Sequence, residues 1–248
     1  NNVSKSFPDR VVLKNIDAVF EQGQTNLIIG QSGSGKTVLI KSIVGLYDVD
    51  EGDIFYNDIN FTKLKFRERK KLRKEIGMLF QGGALFDSAT VERNVIYPLD
   101  MFTDMSEEEK VERANFCLRR VNLMNVNNLF PSELSGGMKK RVAIARAIAL
   151  NPKYLLCDEP NSGLDPLTSI VIDALIKEIT EEYNITTIVN THDMNSVMGI
   201  GDKIIFIHQG QKWWEGTKED VLTSENSELN DFVFASQLAK RIRYGIGS

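Results

Sequence analysis

"TNLIIGQSGSGKTVLIKSIVG", residues 25–45, decides how the rest of the chain is read. Its first part, Thr25–Gly30, is a continuous apolar run ending at a glycine. That is the pattern of a strand buried on both faces in a parallel sheet. The middle, Gly30–Thr37, fits G-x-x-x-x-G-K-[ST], and the last part, Val38–Gly45, is helical. In the order strand, glycine loop, helix, successive backbone N–H groups can point inward at phosphate oxygens. Lys36 then places a point charge on β- and γ-phosphates, and Thr37 supplies a hydroxyl for Mg2+. A glycine loop that matched by chance would lack both flanks.

A second cradle follows in "ELSGGMKKRVAIARAIAL", Glu133–Leu150. Ser135, Gly136 and Gly137 open a basic, apolar-periodic run. A hydroxyl, a permissive backbone and free N–H groups are how a helix opens around a phosphate. One small domain with two such loops raises the question of which molecule the second one serves.

Three more apolar runs resemble the first: Tyr154–Glu159, Thr186–His192 and Asp202–His208. Between them, Pro166–Tyr183 repeats apolar residues at Ile170, Ala174, Leu175 and Ile179, a helical spacing. Strand–helix alternation predicts an α/β fold with a parallel sheet, and ligands bind at the carboxyl ends of such strands. Asp158, Glu159 and His192 fall at those ends. Asp158 suits Mg2+, directly or through water, and Glu159 is placed to polarise an attacking water. Two carboxylates at a buried strand end are costly without a cation or hydrogen bonds. A structural ion pair is the simpler alternative. His192, ending a neighbouring strand, is placed to reach a γ-phosphate.

The stretch Gly82–Leu150 reads as a mostly helical lobe inserted into that core. Ser106 and Glu109 form a capping box, and Val111, Ala114, Leu118 and Val121 line one face. The N-terminal residues and Gly52–Phe61 read as short strands of a small antiparallel sheet. The expected division is a core of 1–81 and 151–220, a helical subdomain of 82–150, and a helical C-terminal tail of 221–248.

At 248 residues with 42% hydrophobic content, the chain can bury a sizeable core. A net charge of −4 gives no electrostatic footprint for nucleic acid. Cys117 and Cys157 lie in apolar segments and read as buried free thiols. No apolar run approaches the ~20 residues that span a bilayer, and no signal-peptide pattern is visible. The expectation is a cytosolic chain that something else must bring to any membrane. The basic run Lys63–Lys74 reads as a solvated helix face, with attraction to anionic lipid headgroups left open.

The motifs occur in the order "GQSGSGKT", Gln81 in "MLFQ", "LSGGM", "YLLCDEP", "SGLD" and "THD". This series resembles the nucleotide-binding domain of ABC transporters along essentially the whole chain. The resemblance implies a RecA-like P-loop NTPase core with a small antiparallel β subdomain and an inserted α-helical subdomain. It implies ATP and Mg2+ as cofactors. It places Phe7 on adenine and Gly30, Ser32, Gly33, Ser34, Gly35, Lys36, Thr37, Val38 and Asp158 on the nucleotide. Thr37, Gln81 and Asp158 become the Mg2+ set, and Glu159, His192 and Gln81 the catalytic residues. Asp165 matches the D-loop aspartate. Ser135, Gly136, Gly137 and Met138 match the signature, which in this family contacts ATP held by the partner subunit. That answers the question of the second cradle. Met138 departs from the usual glutamine; Ser135 and the backbone make the phosphate contacts, so hydrolysis should survive.

"FQGGALFDSATVERNVIYPL" followed by "PSELSGGM" is similar to ATPases of the maintenance-of-lipid-asymmetry (Mla) system. This narrower resemblance implies a homodimer formed on ATP and an integral permease of the MlaE type. It also implies an MCE-domain protein of the MlaD type, an optional STAS-domain protein of the MlaB type, and no nucleic acid. The place implied is the cytoplasmic face of the bacterial inner membrane, peripherally bound. The alternative is an amino-acid importer or lipoprotein-release ATPase. A chromosome or repair ATPase would insert a long coiled coil, a ribosome-associated protein would carry two such domains, and a nucleotide kinase has no use for "LSGGM".

Overall fold

The computed structural model describes residues 1–234. In chain order the elements begin with β1 (Val3–Phe7), β2 (Arg10–Ile16), β3 (Thr25–Ile29), α1 (Lys36–Ile43), β4 (Phe55–Tyr56) and β5 (Ile59–Asn60). Then come α2 (Phe66–Arg73), β6 (Ile76–Leu79), α3 (Val91–Phe102), α4 (Glu107–Arg120), α5 (Gly136–Ala147), β7 (Tyr154–Asp158), α6 (Pro166–Tyr183) and β8 (Thr186–Thr191). The last are α7 (Met194–Ile200), β9 (Lys203–His208), β10 (Gln211–Gly216), α8 (Lys218–Thr223) and α9 (Ser227–Val233).

Two compact units result. The first holds Asn1–Glu21, Thr25–Lys63 and the described residues from Asn190 onward. Its strands run in the order β10-β9-β3, with β3 parallel to β9 and β10 antiparallel to it. Every residue of β3 is buried, as a doubly covered strand requires. The expected small antiparallel sheet is two separate hairpins, β1–β2 and β4–β5. Tyr56 ties the second hairpin to α1 by donating its hydroxyl to the Ile43 carbonyl, 2.8 Å away.

The second unit holds Gln22–Gln24 and Leu64–Val189, with strand order β8-β7-β6 and β6 parallel to β7. The crossover between β6 and β7 runs through α3, α4 and α5, which pack pairwise on one another. Thr90 caps α3 by accepting from the Arg93 N–H, and Ser106 with Glu109 closes the expected capping box on α4. On α4, Ala114, Cys117 and Leu118 are buried, with Val121 just beyond. The face of α6 differs from the expectation. Ile172, Leu175, Ile176 and Ile179 are buried, whereas Ile170 is 58% exposed and Ala174 also faces out. At 100° per residue Ile170 and Ala174 lie opposite Ile172. The helix is apolar on both sides, so spacing alone could not choose.

The fold is α/β, as the motif order predicts. Among the described residues no helix is long and apolar enough to cross a membrane. Of the C-terminal tail, α9 and part of α8 are described; residues 235–248 lie outside the described residues.

Candidate functional site

In the first unit, β3 delivers the chain to Gly30, and the loop closes at Gly35, the residue that opens α1. Gly30 sits at φ 149, and a Cβ there would collide with the backbone carbonyl oxygen of Ile207 on β9. Only glycine fits, so the loop backbone can pass flush against the sheet. Lys36 is 5% exposed and donates to the carbonyls of Gly30 at 2.7 Å and Gln31 at 3.1 Å. Its ammonium is thereby held over the loop. Ser34 is buried and its hydroxyl has no hydrogen-bond partner among the described residues. A buried hydroxyl of that kind needs an explanation, and a phosphate oxygen in the cradle would satisfy it. Ser32 and Gly33 are exposed, and Val38 is half-buried in the first turn of α1.

Thr37, beside Lys36, accepts a hydrogen bond at 3.2 Å from the side-chain amide of Asn190, in β8. Asn190 is 1% exposed. No sequence reading singled it out, although it interrupts the apolar run "TTIVNTH". His192 follows β8 on the surface, and the next residue, Asp193, caps α7 by accepting from the Asn195 N–H at 2.8 Å. Phe7 ends β1. It is 37% exposed and stands edge-on to Tyr47, with ring centroids 5.4 Å apart. The Lys5 ammonium stands over the same ring, 5.7 Å from its centroid.

The second unit carries the remaining residues. Asp158, the last residue of β7, is 3% exposed. Glu159 follows at φ 50, a left-handed conformation that costs a non-glycine residue of order 1–3 kcal/mol. Strain of this size at a strand end marks a position held for its side chain's direction. The turn continues with the Ser162 N–H donating to the Glu159 carbonyl at 3.2 Å, while the Gln81 amide donates to the Ser162 hydroxyl at 3.3 Å. Gln81 and Glu159 therefore share one hydrogen-bonded turn. Asp165 caps α6, accepting from the Thr168 N–H at 3.0 Å and the Thr168 hydroxyl at 2.5 Å. The Thr168 side chain and then its N–H hold the Asp165 carboxyl below the usual carboxylate range.

Ser135 caps α5 by accepting from the Met138 N–H at 3.3 Å, and Ser135 and Gly136 are exposed. A side chain on Gly137 would strike the Thr168 methyl at 2.5 Å, so α5 and α6 approach as closely as they do because of this glycine. Met138 enters through its backbone N–H, which every residue type but proline provides.

Two further residues escaped the sequence reading. Lys140, on α5, is 5% exposed; its ammonium donates to the Gln81 carbonyl and, at 3.4 Å, to the Glu159 carbonyl. Burial pushes its pKa down, against the pull of Cys157, Glu159 and Asp158. Arg146, two turns along, donates to the carbonyls of Gly83 at 2.7 Å and Ala84 at 2.8 Å. The signature helix thereby grips the backbone of the glutamine loop at Gln81, Gly83 and Ala84. The available signal was that Lys140 and Arg146 fall within the apolar-periodic run "KKRVAIARA". Asn94, fully buried on α3, accepts from the Phe86 N–H and donates to the carbonyls of Phe86, Ala89 and Thr90. It presents the Phe86 ring, 42% exposed, beside Tyr97, 43% exposed, at 4.6 Å.

Oxygen donors dominate the candidate metal set: a threonine hydroxyl, an amide and a carboxylate. Among the described residues no group of three or more His, Cys, Asp or Glu could enclose a metal. The set suits an ion such as Mg2+, which keeps waters and takes phosphate oxygens alongside one or two carboxylates.

Comparison with known proteins gives the family. The ABC transporter family profile matches residues 13–162. The intermembrane phospholipid transport system ATP-binding protein MlaF of Haemophilus influenzae is 39% identical over 225 residues, 91% of this chain and 85% of that protein. The methionine import ATP-binding protein MetN of Campylobacter jejuni is 37% identical over 248 residues, 94% of this chain and 74% of that protein. Among solved structures, the ATP-binding cassette MJ0796, a dimer in a post-hydrolysis state bound to ADP and Pi, superposes with a TM-score of 0.80. It is 36% identical, covering 88% of this chain and 97% of that one. The chain belongs to the ABC transporter family, as an ATP-binding cassette with ATPase activity.

Proposed function

We propose that this ATPase subunit drives a phospholipid-moving permease by dimerising on ATP. The cradle Gly30–Val38 takes the phosphates, Lys36 neutralises the β- and γ-oxygens, and Phe7 stacks on the base. Thr37, Asp158 and Gln81 hold Mg2+, which would supply charge neutralisation at the transferring phosphoryl group. Glu159 takes a proton from the attacking water as its oxygen bonds the γ-phosphorus, and the bond from that phosphorus to the β,γ-bridging oxygen breaks with ADP as the leaving group. His192 steadies the γ-phosphate. Ser135, Gly136, Gly137 and the Met138 N–H close on the nucleotide of a second copy, and Asp165 lies at that junction. The observation that carries the nucleotide part is the loop itself: Gly30 pressed on a strand, a buried Ser34 hydroxyl without a hydrogen-bond partner among the described residues, and Lys36 held above them.

Glu159→Gln tests it. The substitution keeps size and hydrogen bonding and removes the proton acceptor. Turnover should vanish while ATP binding persists, and an ATP-dependent dimer should accumulate on size exclusion. A variant that hydrolyses at the wild-type rate, or stays monomeric with ATP and Mg2+, refutes the assignment.

The cargo reading rests on the phrases shared with Mla ATPases and on the likeness to MlaF. The densest phrase, Gln81–Leu99, includes the exposed Phe86–Tyr97 pair, a fitting surface for a permease segment; Leu99, at 2% exposure, belongs to the core. MetN relatives of comparable identity favour amino-acid import as the second reading. The partners proposed are an MlaE-type permease, an MlaD-type MCE protein and a STAS-domain accessory, at the cytoplasmic face of an inner membrane. Mild-detergent copurification with mass spectrometry decides: an MCE protein with phospholipid supports lipid transport, and an amino-acid permease replaces it.

A further inference from the structure

The run Lys63–Lys74 holds eight Lys or Arg against one acidic residue, +7 in a chain whose net charge is −4, so the rest of the molecule carries −11. This is a strong segregation of charge onto one short element. In α2 only Leu72 is buried. At 100° per residue Phe66, Arg67, Lys70, Lys71 and Lys74 fall on one strip of about 140°, and all five are exposed. Phe66 is 75% exposed, a fully presented aromatic ring at the start of a cationic helix. The one acidic side chain, Glu68, points elsewhere: its carboxylate accepts the Lys65 N–H at 2.9 Å and caps the helix.

Nor do other elements neutralise the strip. Among the described residues Arg67, Lys70, Lys71 and Lys74 form no ion pair with a carboxylate. Lys70 and Lys74 instead lie 5.9 Å from the Phe102 ring centroid, and Lys74 donates to the Phe102 carbonyl at 3.0 Å. Those contacts fix where the two ammonium groups stand without neutralising them.

We propose that this face of α2 docks on an anionic phospholipid bilayer, with Phe66 entering the interface and Arg67, Lys70, Lys71 and Lys74 meeting headgroup phosphates. Two features favour a membrane over other polyanions. A bilayer offers an apolar layer directly beneath negative charge, matching a ring beside cations. The remaining −11 repels a polyanion that wraps, but not a flat surface approached from one side only. The surface uses none of the residues assigned to nucleotide, so it stands or falls separately from that reading.

The experiment is sedimentation of the full chain with sucrose-loaded vesicles of phosphatidylcholine, with and without phosphatidylglycerol, at low and high salt. Binding should require phosphatidylglycerol and fall with salt. Each headgroup-facing charge contributes about fivefold in affinity, so Arg67→Gln/Lys70→Gln/Lys71→Gln should bind roughly 100-fold more weakly. Phe66→Ala should lower the binding that survives salt. Lys14→Gln/Lys153→Gln/Lys218→Gln, with the same net charge, should bind like wild type. ATP hydrolysis by every variant serves as the check on folding. No binding to anionic vesicles at low salt, equal binding to neutral ones, equal loss in the control triple, or capture of a single-stranded oligonucleotide in place of vesicles overturns the proposal.

Discussion

Replacing Lys140 by methionine probes how the signature helix controls the catalytic turn. The stem stays about as long and apolar, but the donor to the Gln81 and Glu159 carbonyls disappears. A buried acceptor left without its donor costs about 1–3 kcal/mol. The Glu159 carbonyl keeps the Ser162 N–H at 3.2 Å, so its loss falls at the low end. Against this, the variant no longer buries an ammonium, whose effective desolvation penalty is several kcal/mol. The two effects oppose each other at similar size, so the net change in stability should stay within about 2 kcal/mol, which for a chain of this size moves the melting temperature by no more than roughly 8 °C. Turnover should fall, because the backbones of Gln81 and Glu159 lose their common tie. A misplacement approaching 1 Å costs on the order of 100-fold, while KM for ATP should stay within about twofold. Lys140→Arg retains donors and should recover most of kcat. The pH dependence adds a readout. Burial lowers the folded-state pKa of Lys140 below its ordinary 10.5. The unfolded chain therefore binds more protons in the window just below 10.5, and wild-type stability gains with rising pH there. Methionine has no such gain, so wild type should gain stability relative to the variant as pH rises toward 10.5. An unchanged melting temperature with unchanged kcat, or an arginine variant as impaired as methionine, refutes the reasoning.

Three other outcomes are expected. Gly30→Ala forces a methyl group against the Ile207 carbonyl and should cost about 2–4 kcal/mol in urea unfolding; an unchanged midpoint contradicts the close approach. Phe7→Ala should raise KM for ATP by roughly fivefold to 100-fold, the size of a base–aromatic stack, with little change in melting temperature because the ring is already 37% exposed; the reverse pattern makes Phe7 a packing residue. Cys117 and Cys157 are buried, the first thiol pushed up to about 11 and the second higher still by desolvation. Neither should react with a thiol reagent in the native protein at pH 8, and both should in guanidinium; a fast native reaction argues against their burial.

Local chemistry is what the sequence determined by itself. Glycines in "GQSGSGKT" and "LSGGM", a buried strand before the first loop, and an acidic pair after "YLLC" each need only their neighbours in the chain to be interpretable. The capping box at Ser106 and the four apolar strands were legible for the same reason: both are short-range patterns. The tertiary structure decided whatever depends on a partner far along the chain. Which side of α6 is buried could not be read, because apolar residues lie on both sides and only the packing selects one. The tie from Lys140 to Gln81 and Glu159 spans 59 and 19 residues, and the Asn190–Thr37 bond spans 153. A lysine in an apolar run looks like a surface cation until folding removes water from it. Its ammonium then has to find carbonyls, and the ones it finds belong to the two loops that carry the chemistry.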